Sequence, residues 1–499
     1  MKMFNRTLTL LLCLLLSLAL ALPAFAAQEP SYTGDLEPYT IKWYLMGSAQ
    51  QDVKMVQDAI NEITVPAINA KVELYFIDPG SYDEKMRISL ATGDDIDLTF
   101  TSNFTNDYIS NVSKNAFREI PMETLERLAP RMMAAIPPVA WEASMVGGKQ
   151  YAMQIERVMA NTPGVLLLTS YVDKYNFDLE AVEHLRDFDP LYEQIAENEP
   201  GISPIDINAG SGIYAYSLNQ HGMEVISGAN PGGVLIGQEN PKIVNLFETQ
   251  EMRDLLYLLR GWYLKGFIRP DAATVTDVTA EFAAQKIASR LITSNPDTIA
   301  NQANVFNVEP SDLVIVELST PYMSTNTVLG GLNAIPRAAK DPERVIMFYD
   351  MMYDREDTRL VNLINYGIEG VHYNKVNEYT VDRIDGSGYY FGMGWQLGSL
   401  FNCFKESADQ PDWIPAGPDK MASAVTSEIL GFSFDPEPVK VELAQTQSVF
   451  AEFVPALFTG SVEVDEYLDQ FIQKLRLAGS EKIIDEMNAQ LDAWRESRQ

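Results

Sequence analysis

The side chains here whose type and position suggest chemistry are aromatics at strand ends and in glycine-rich turns. Trp43 and Tyr44 fall in YTIKWYLM (39–46), and Trp141, Tyr151, Trp395 and Trp413 lie near turns or Gly-rich stretches. A sugar ring offers a flat C–H face that packs on an aromatic ring, while its hydroxyls need fixed polar partners. Ser102, Asn103 and Asn106 follow the strand-like run DLTFT (97–101) and offer such partners. The competing reading of each aromatic is core packing, where most large aromatics end up. Trp262 and Trp494, inside helical stripes, read as core.

Other chemistries fit less well. No P-loop, HExxH, GxSxG or paired CxxC occurs. His184, His221 and His372 are far apart and form no spaced ligand pair, so no metal site is expected. The run Asp94-Asp95-Ile96-Asp97 lacks the alternating ligands and terminal Glu of a calcium loop and reads as a polar turn. Any two carboxylates could form a glycosidase pair, but none stands out among the 69. No catalytic residue and no cofactor is expected.

The elements that must position these residues follow from hydrophobic periodicity. Strand-like runs at 39–46, 72–77 and 97–101 alternate with helical stripes at 52–63 and 82–91. This β-α-β-α-β order is the pattern of a parallel, doubly wound sheet, which binds ligands beyond the carboxyl ends of its strands. GGKQYAM (147–153), followed by VLLL (165–168), suits a crossing into a second lobe. TVLGGLNAIP (327–336) suits a return. Asp341-Pro342-Glu343 then reads as a helix start, with an N-cap acid and Pro at the first helical position. Residues 172–199, 249–265, 439–458 and 464–494 read as helical, and 208–237 as loops. A chain that leaves one lobe, builds another and returns forms a hinge suited to closure around a ligand.

The first residues read as an export signal. Lys2 and Arg6 precede an apolar run at 8–22, and Ala24-Phe25-Ala26 is a cleavage site, so 1–26 is expected to be removed. The run is shorter than the ~20 residues of a spanning helix. Cys13 has Leu12 before it and Leu14 to Leu16 after it, so it is not expected to be lipidated. Cys403 is then the remaining cysteine, and no internal disulfide is expected. The 499 residues carry a formal net charge of −32. That argues against nucleic-acid binding and against docking on anionic lipid. The charge is spread over helical stretches and reads as solubility rather than ligand selection. Length and composition allow two or more domains with real cores.

Several stretches, in order, resemble one family. They are YTIKWYLM, SYDEKMRISLATGDDIDLTF, GKQYAMQ, GWYLKGFIRPDAA, GGLNAIPRAAKDPERVIMFYDMM and NYGIEGVHY. The closing stretch from GFSFDPEPVKVE through YLDQFIQKLRLAGSEKIIDEMNAQLDAW completes the set. Together they resemble an extracellular solute-binding protein of a carbohydrate-type ABC importer, in the LipO-type subgroup with its own C-terminal helical region. The resemblance implies an α/β, periplasmic-binding-protein-like fold of two doubly wound lobes joined by a hinge. It divides the chain into a signal peptide (1–26), a first lobe (27–155 and 330–365), a second lobe (156–329 and 366–430) and a helical region (431–499). It implies a small ligand, an oligosaccharide, held between the lobes, and permease subunits as partners. It implies a monomer, no catalysis, and an extracellular, cell-surface or periplasmic location. The chain departs from lipoprotein relatives in lacking a lipobox. The ligand residues expected on this reading are Trp43, Tyr44, Ser102, Asn103, Trp141, Tyr151 and Trp395. A secreted hydrolase or lyase, a peptide-binding member of the same fold, and a surface adhesin or scaffold are the alternatives.

Overall fold

A computed structural model describes residues 36–210, 218–226, 231–295, 298–406 and 413–498. The export signal expected at 1–26, Cys13 included, lies outside them, as do the Trp413 side chain and part of the 208–237 loops.

The chain opens with β1 (Tyr39–Met46), α1 (Val53–Ile68), β2 (Ala70–Ile77), α2 (Pro79–Thr92) and β3 (Leu98–Thr101), as the periodicity predicts. The start of α2 is chemically marked. The Asp78 carboxylate accepts the Gly80 N–H, and Pro79 opens the helix, where a missing N–H costs nothing. The short strand β4 (Ala152–Gln154) precedes the crossing into the second lobe.

That lobe contains β5 (Pro163–Leu168), α3 (Gln250–Leu264), β6 (Ser289–Thr293), α4 (Thr298–Phe306) and β7 (Leu313–Glu317). The chain returns through β8 (Leu332–Ala334), α5 (Pro342–Asp350) and α6 (Arg359–Tyr366). The predicted cap is present: the Asp341 carboxylate accepts the Arg344 N–H at 3.0 Å. Three helices close the chain: α7 (Lys440–Phe458), α8 (Val464–Leu477) and α9 (Ser480–Glu496). The continuous helix expected over 464–494 is broken at Gly479, whose φ of 97° ends one helix and starts the next.

The first lobe's sheet has the order β2-β1-β3-β8-β4. β1, β2 and β3 are parallel, and β8 runs antiparallel between β3 and β4. The carboxyl ends of β1 to β4 and the start of β8 therefore share one edge. Ile41, Trp43 and Leu45 alternate onto one face and are fully buried against helices that include α1 and α5. Met46 and Phe100 face α2, whose Tyr82 and Met86 are buried with them.

The second lobe departs from the doubly wound expectation. Its sheet has the order β7-β5-β6, with β5 antiparallel to both neighbours. An apolar run such as VLLL marks a buried strand but carries no information on direction. Direction is set by the β6-α4-β7 crossover, which straddles β5. The stretch 172–199 also departs from a continuous helix: it holds short helical pieces around Asp189–Asn198.

Residues 366–406, expected in the second lobe, pack on the first. Tyr389, Phe391, Leu397, Phe401 and Cys403 join its core, because α6 docks on α1 and carries the following chain with it. α7 and α8 complete the second lobe's core instead. Phe471 lies 4.8 Å from Phe247 at 81° and stacks on Phe453 at 5.3 Å. α9 packs on Ile226, Val234 and Phe432 in a separate cluster.

Candidate ligand site

The two lobes are joined where the crossings run side by side. Asn161 N–H donates to the Tyr322 carbonyl and Tyr322 N–H returns the bond, at 2.7 and 2.9 Å. Tyr322–Met323 then pairs with Val425–Thr426, the start of the passage into the C-terminal region. All three passages meet at the edge where β1 to β4 end.

At that edge β3 leads into a tight turn. Ser102 Oγ accepts the N–H groups of Phe104 and Thr105, at 3.2 and 3.0 Å. Ser102 itself is fully buried. The turn pushes the next aromatic outward: Phe104 is 61% exposed. Its ring lies 6.3 Å from that of Trp395, tilted by 45°, and Trp395 rests edge-on against buried Phe100 at 5.4 Å. Two aromatic rings thus stand beyond the carboxyl end of β3, against buried Phe100. Phe104 is one of several large apolar side chains left in solvent, with its ring beside Trp395.

Trp43 is not part of that surface. β1 runs on to Met46, so Trp43 sits mid-strand and its indole is fully buried. Its Nε1 donates to Asn333 Oδ1 at 3.0 Å. Asn333 Nδ2 donates in turn to the Gln396 carbonyl (2.8 Å) and the Tyr349 hydroxyl (3.0 Å). The Gln396 side chain brackets Met46, accepting from its N–H (3.1 Å) and donating to its carbonyl (2.8 Å). The tryptophan expected to stack on ligand instead holds the loop that carries Trp395.

The other expected residues divide. Tyr44 stacks on Tyr75 at 4.7 Å on the α2 side of the sheet. The charges around its hydroxyl include Asp94 and Asp95, which precede β3, so it faces away from the strand ends. Trp141 is buried in the first core. Tyr151 precedes β4, at the opposite end of that strand from this edge, and packs near Tyr108 and Phe117. Asn103 stays near the crossings: its Nδ2 donates to the Asn326 carbonyl at 3.1 Å. Of the seven, Trp395 and Asn103 lie where the lobes meet with surface to offer; Ser102 acts through the turn it holds.

Residues 428–496 match a family model described as a domain of unknown function, DUF3502. A carbohydrate ABC transporter substrate-binding protein of Streptococcus pneumoniae serotype 4 is 24% identical over 91% of this chain and 90% of its own. The N-glycan transport solute-binding protein NgtS of S. pneumoniae superposes with a TM-score of 0.81 at 23% identity, over 93% of this chain and 100% of its own. NgtS in complex with Man5GlcNAc gives 0.68 at 22% identity over the same shares. The chain has the solute-binding-protein fold.

Buried charges brace the crossings of the solute-binding fold. Glu156 accepts from Ser399 Oγ at 2.6 Å and pairs with Arg355, although burial pushes its carboxyl above the usual range. Arg157 donates to the carbonyls of Thr327 and Val328, at 2.6 and 3.2 Å. Burial pulls its guanidinium down to about 10, and among the described residues no carboxylate pairs with it. Gly330 and Gly331 permit this approach, since a Cβ on either would lie 3.1 or 3.2 Å from an Arg157 nitrogen. Sequence reading missed Phe104, though an aromatic directly after a strand and a Ser-Asn turn was the available signal. It also missed Arg157, whose neighbours 170 positions away no local pattern reveals. Among the described residues no cluster of His, Cys, Asp and Glu is arranged to hold a metal.

Proposed function

We propose that this protein is an exported solute-binding protein that captures an oligosaccharide between its lobes and presents it to the permease of an ABC importer. The observation that carries this reading is the Phe104–Trp395 pair, two aromatic faces held at the meeting of two lobes with one ring largely in solvent. Such a surface suits the C–H face of a neutral sugar, with Asn103 among the polar groups beside it. The relatives' names support the sugar class: one is a carbohydrate substrate-binding protein and another is described with Man5GlcNAc. The net charge of −32 disfavours a polyanionic ligand.

The lobes close by population shift, because ligand touching both binds the closed form more tightly. Export through 1–26, absence of lipid at Cys13 and a monomeric state belong to the same proposal. No described helix is long and apolar enough to cross a membrane.

A thermal-shift screen tests the reading. A bound oligosaccharide at 100 times its dissociation constant stabilises the fold by about 2.7 kcal/mol. Chromatography of the recovered sugar separates binding from hydrolysis or lysis: a binding protein returns it intact. Melting shifts with peptides but with no sugar would move the ligand class to peptides.

A further inference from the structure

We propose that Lys420 is an electrostatic latch between the lobes: its ammonium reaches from a helix seated on the first lobe into an acceptor cluster of the second and stabilises the form that precedes closure. The proposal rests on the reading of a ligand captured between the lobes and names the group that sets how readily they close.

The helix Trp413–Ala422 follows the part of the chain that packs on the first lobe, and it stays there. A Cβ at Gly417 would lie 2.1 Å from Phe401 Cζ, so the helix backbone rests directly on a ring of the first core. Met421 packs against the same core, and its Sδ accepts the Met159 N–H of the first crossing at 3.0 Å. Lys420, beside it, reaches the second lobe. Its Nζ donates to the Ser294 carbonyl (2.7 Å), to Ser294 Oγ (3.3 Å) and to Glu317 Oε1 (2.7 Å). Ser294 Oγ donates to that same Glu317 oxygen at 2.6 Å. An ammonium has three N–H groups, and here each has an acceptor.

Those acceptors belong to the second lobe's sheet. Ser294 follows β6, and Glu317 ends β7. Both strand ends are tied to the start of β5: the Ser294 N–H donates to the Thr162 carbonyl (2.8 Å), and the Leu318 N–H to that of Pro163 (2.9 Å). The Lys420 side chain is only 13% exposed, which sets this pair apart from freely solvated ones that add little. Rotation of the lobes carries the helix one way and the strand ends the other, and a displacement of about 1 Å breaks such hydrogen bonds. Phe104, the ring read as a ligand contact, stands in solvent in this form, so the latch belongs to the unclosed state. A group that favours the unclosed state lowers apparent ligand affinity by the fraction of molecules it withholds from closure.

Small-angle scattering of the ligand-free mature chain tests the latch without any ligand. Lys420→Met and Glu317→Gln are each expected to reduce the radius of gyration, whereas Lys54→Met, which breaks the surface pair with Asp58, leaves it at the wild-type value. Glu317 is the more exposed partner, so Glu317→Gln decides the matter if Lys420→Met melts early. Calorimetry with Man5GlcNAc, a neutral sugar, is expected to show at least threefold tighter binding by both latch variants. Wild-type affinity should rise with salt between about 0.05 and 0.5 M as the pair is screened, and that of Lys420→Met should stay flat. A wild-type radius of gyration in folded Glu317→Gln, or weaker sugar binding by both variants, would overturn the latch. Smaller radii in a protein that binds no sugar would uphold the latch and remove the oligosaccharide reading alone.

Discussion

The indole N–H of Trp43 donates to Asn333 Oδ1 at 3.0 Å, joining residues 290 positions apart in the interior of the first lobe. Asn333 then holds the Gln396 carbonyl, and Gln396 holds the end of β1. A buried polar chain thus connects the strand to the loop bearing Trp395.

Trp43 variants should therefore fail through stability. Trp43→Phe leaves Asn333 Oδ1 without its donor and is expected to cost about 1–3 kcal/mol. Trp43→Ala adds a cavity, for a total of about 3–5 kcal/mol. Urea denaturation checks both. A stable Trp43→Ala protein with lost ligand affinity would restore the stacking role assigned from sequence.

Phe104→Ala should behave in the opposite way. The ring is mostly in solvent, so stability is expected to change by less than about 0.5 kcal/mol. A stacked aromatic contributes about 0.5–1.5 kcal/mol beyond its buried area, so oligosaccharide affinity should fall several-fold to tenfold. Calorimetry and melting measured on one preparation separate the two effects.

These two residues show what was legible. Strand and helix alternation over 39–101 follows from local periodicity, and the Asp341 cap from local chemistry; both appear as expected. Whether an aromatic faces core or solvent depends on where its strand ends. β1 ends at Met46, as expected, which leaves Trp43 three residues and Tyr44 two residues short of its end, with the Trp43 indole in the core. The direction of β5 and the docking of 366–406 on the first lobe depend on partners distant in sequence, which periodicity does not encode. The hydrogen bonds from Tyr322 and Ser427 to buried Glu224 were illegible for the same reason: the two donors come from different passages.

Asp350 sets a pH dependence. Burial pushes its carboxyl up to about 6, despite the Met132 N–H and the Arg131 guanidinium beside it. An unfolded Asp titrates near 3.9, so the folded chain holds this proton more tightly. Its contribution to stability is therefore full below about pH 4 and lost as pH rises through 6, by at most about 3 kcal/mol. Asp350→Asn should flatten the fall in urea midpoint between pH 4 and 6. An unchanged slope would assign that fall to other buried acids such as Asp206 or Glu156.

The C-terminal helices should unfold with the second lobe. Phe471 stacks on Phe453 and meets Phe247 within one core. Phe471→Ala is expected to cost about 3–5 kcal/mol. It should shift the transition of the second lobe as a whole, as hydrogen exchange at β5 and α3 would show. Protection lost in α7 and α8 alone would mean a separately folding appendage.

The most direct measurement of the central claim is calorimetric titration of the mature protein and its Phe104→Ala/Trp395→Ala double variant with Man5GlcNAc and related neutral oligosaccharides. The account predicts saturable binding by the wild type to at least one sugar, with heat of binding lost in a double variant that remains folded. Undiminished binding by the double variant, or none by the wild type to any sugar, would contradict it.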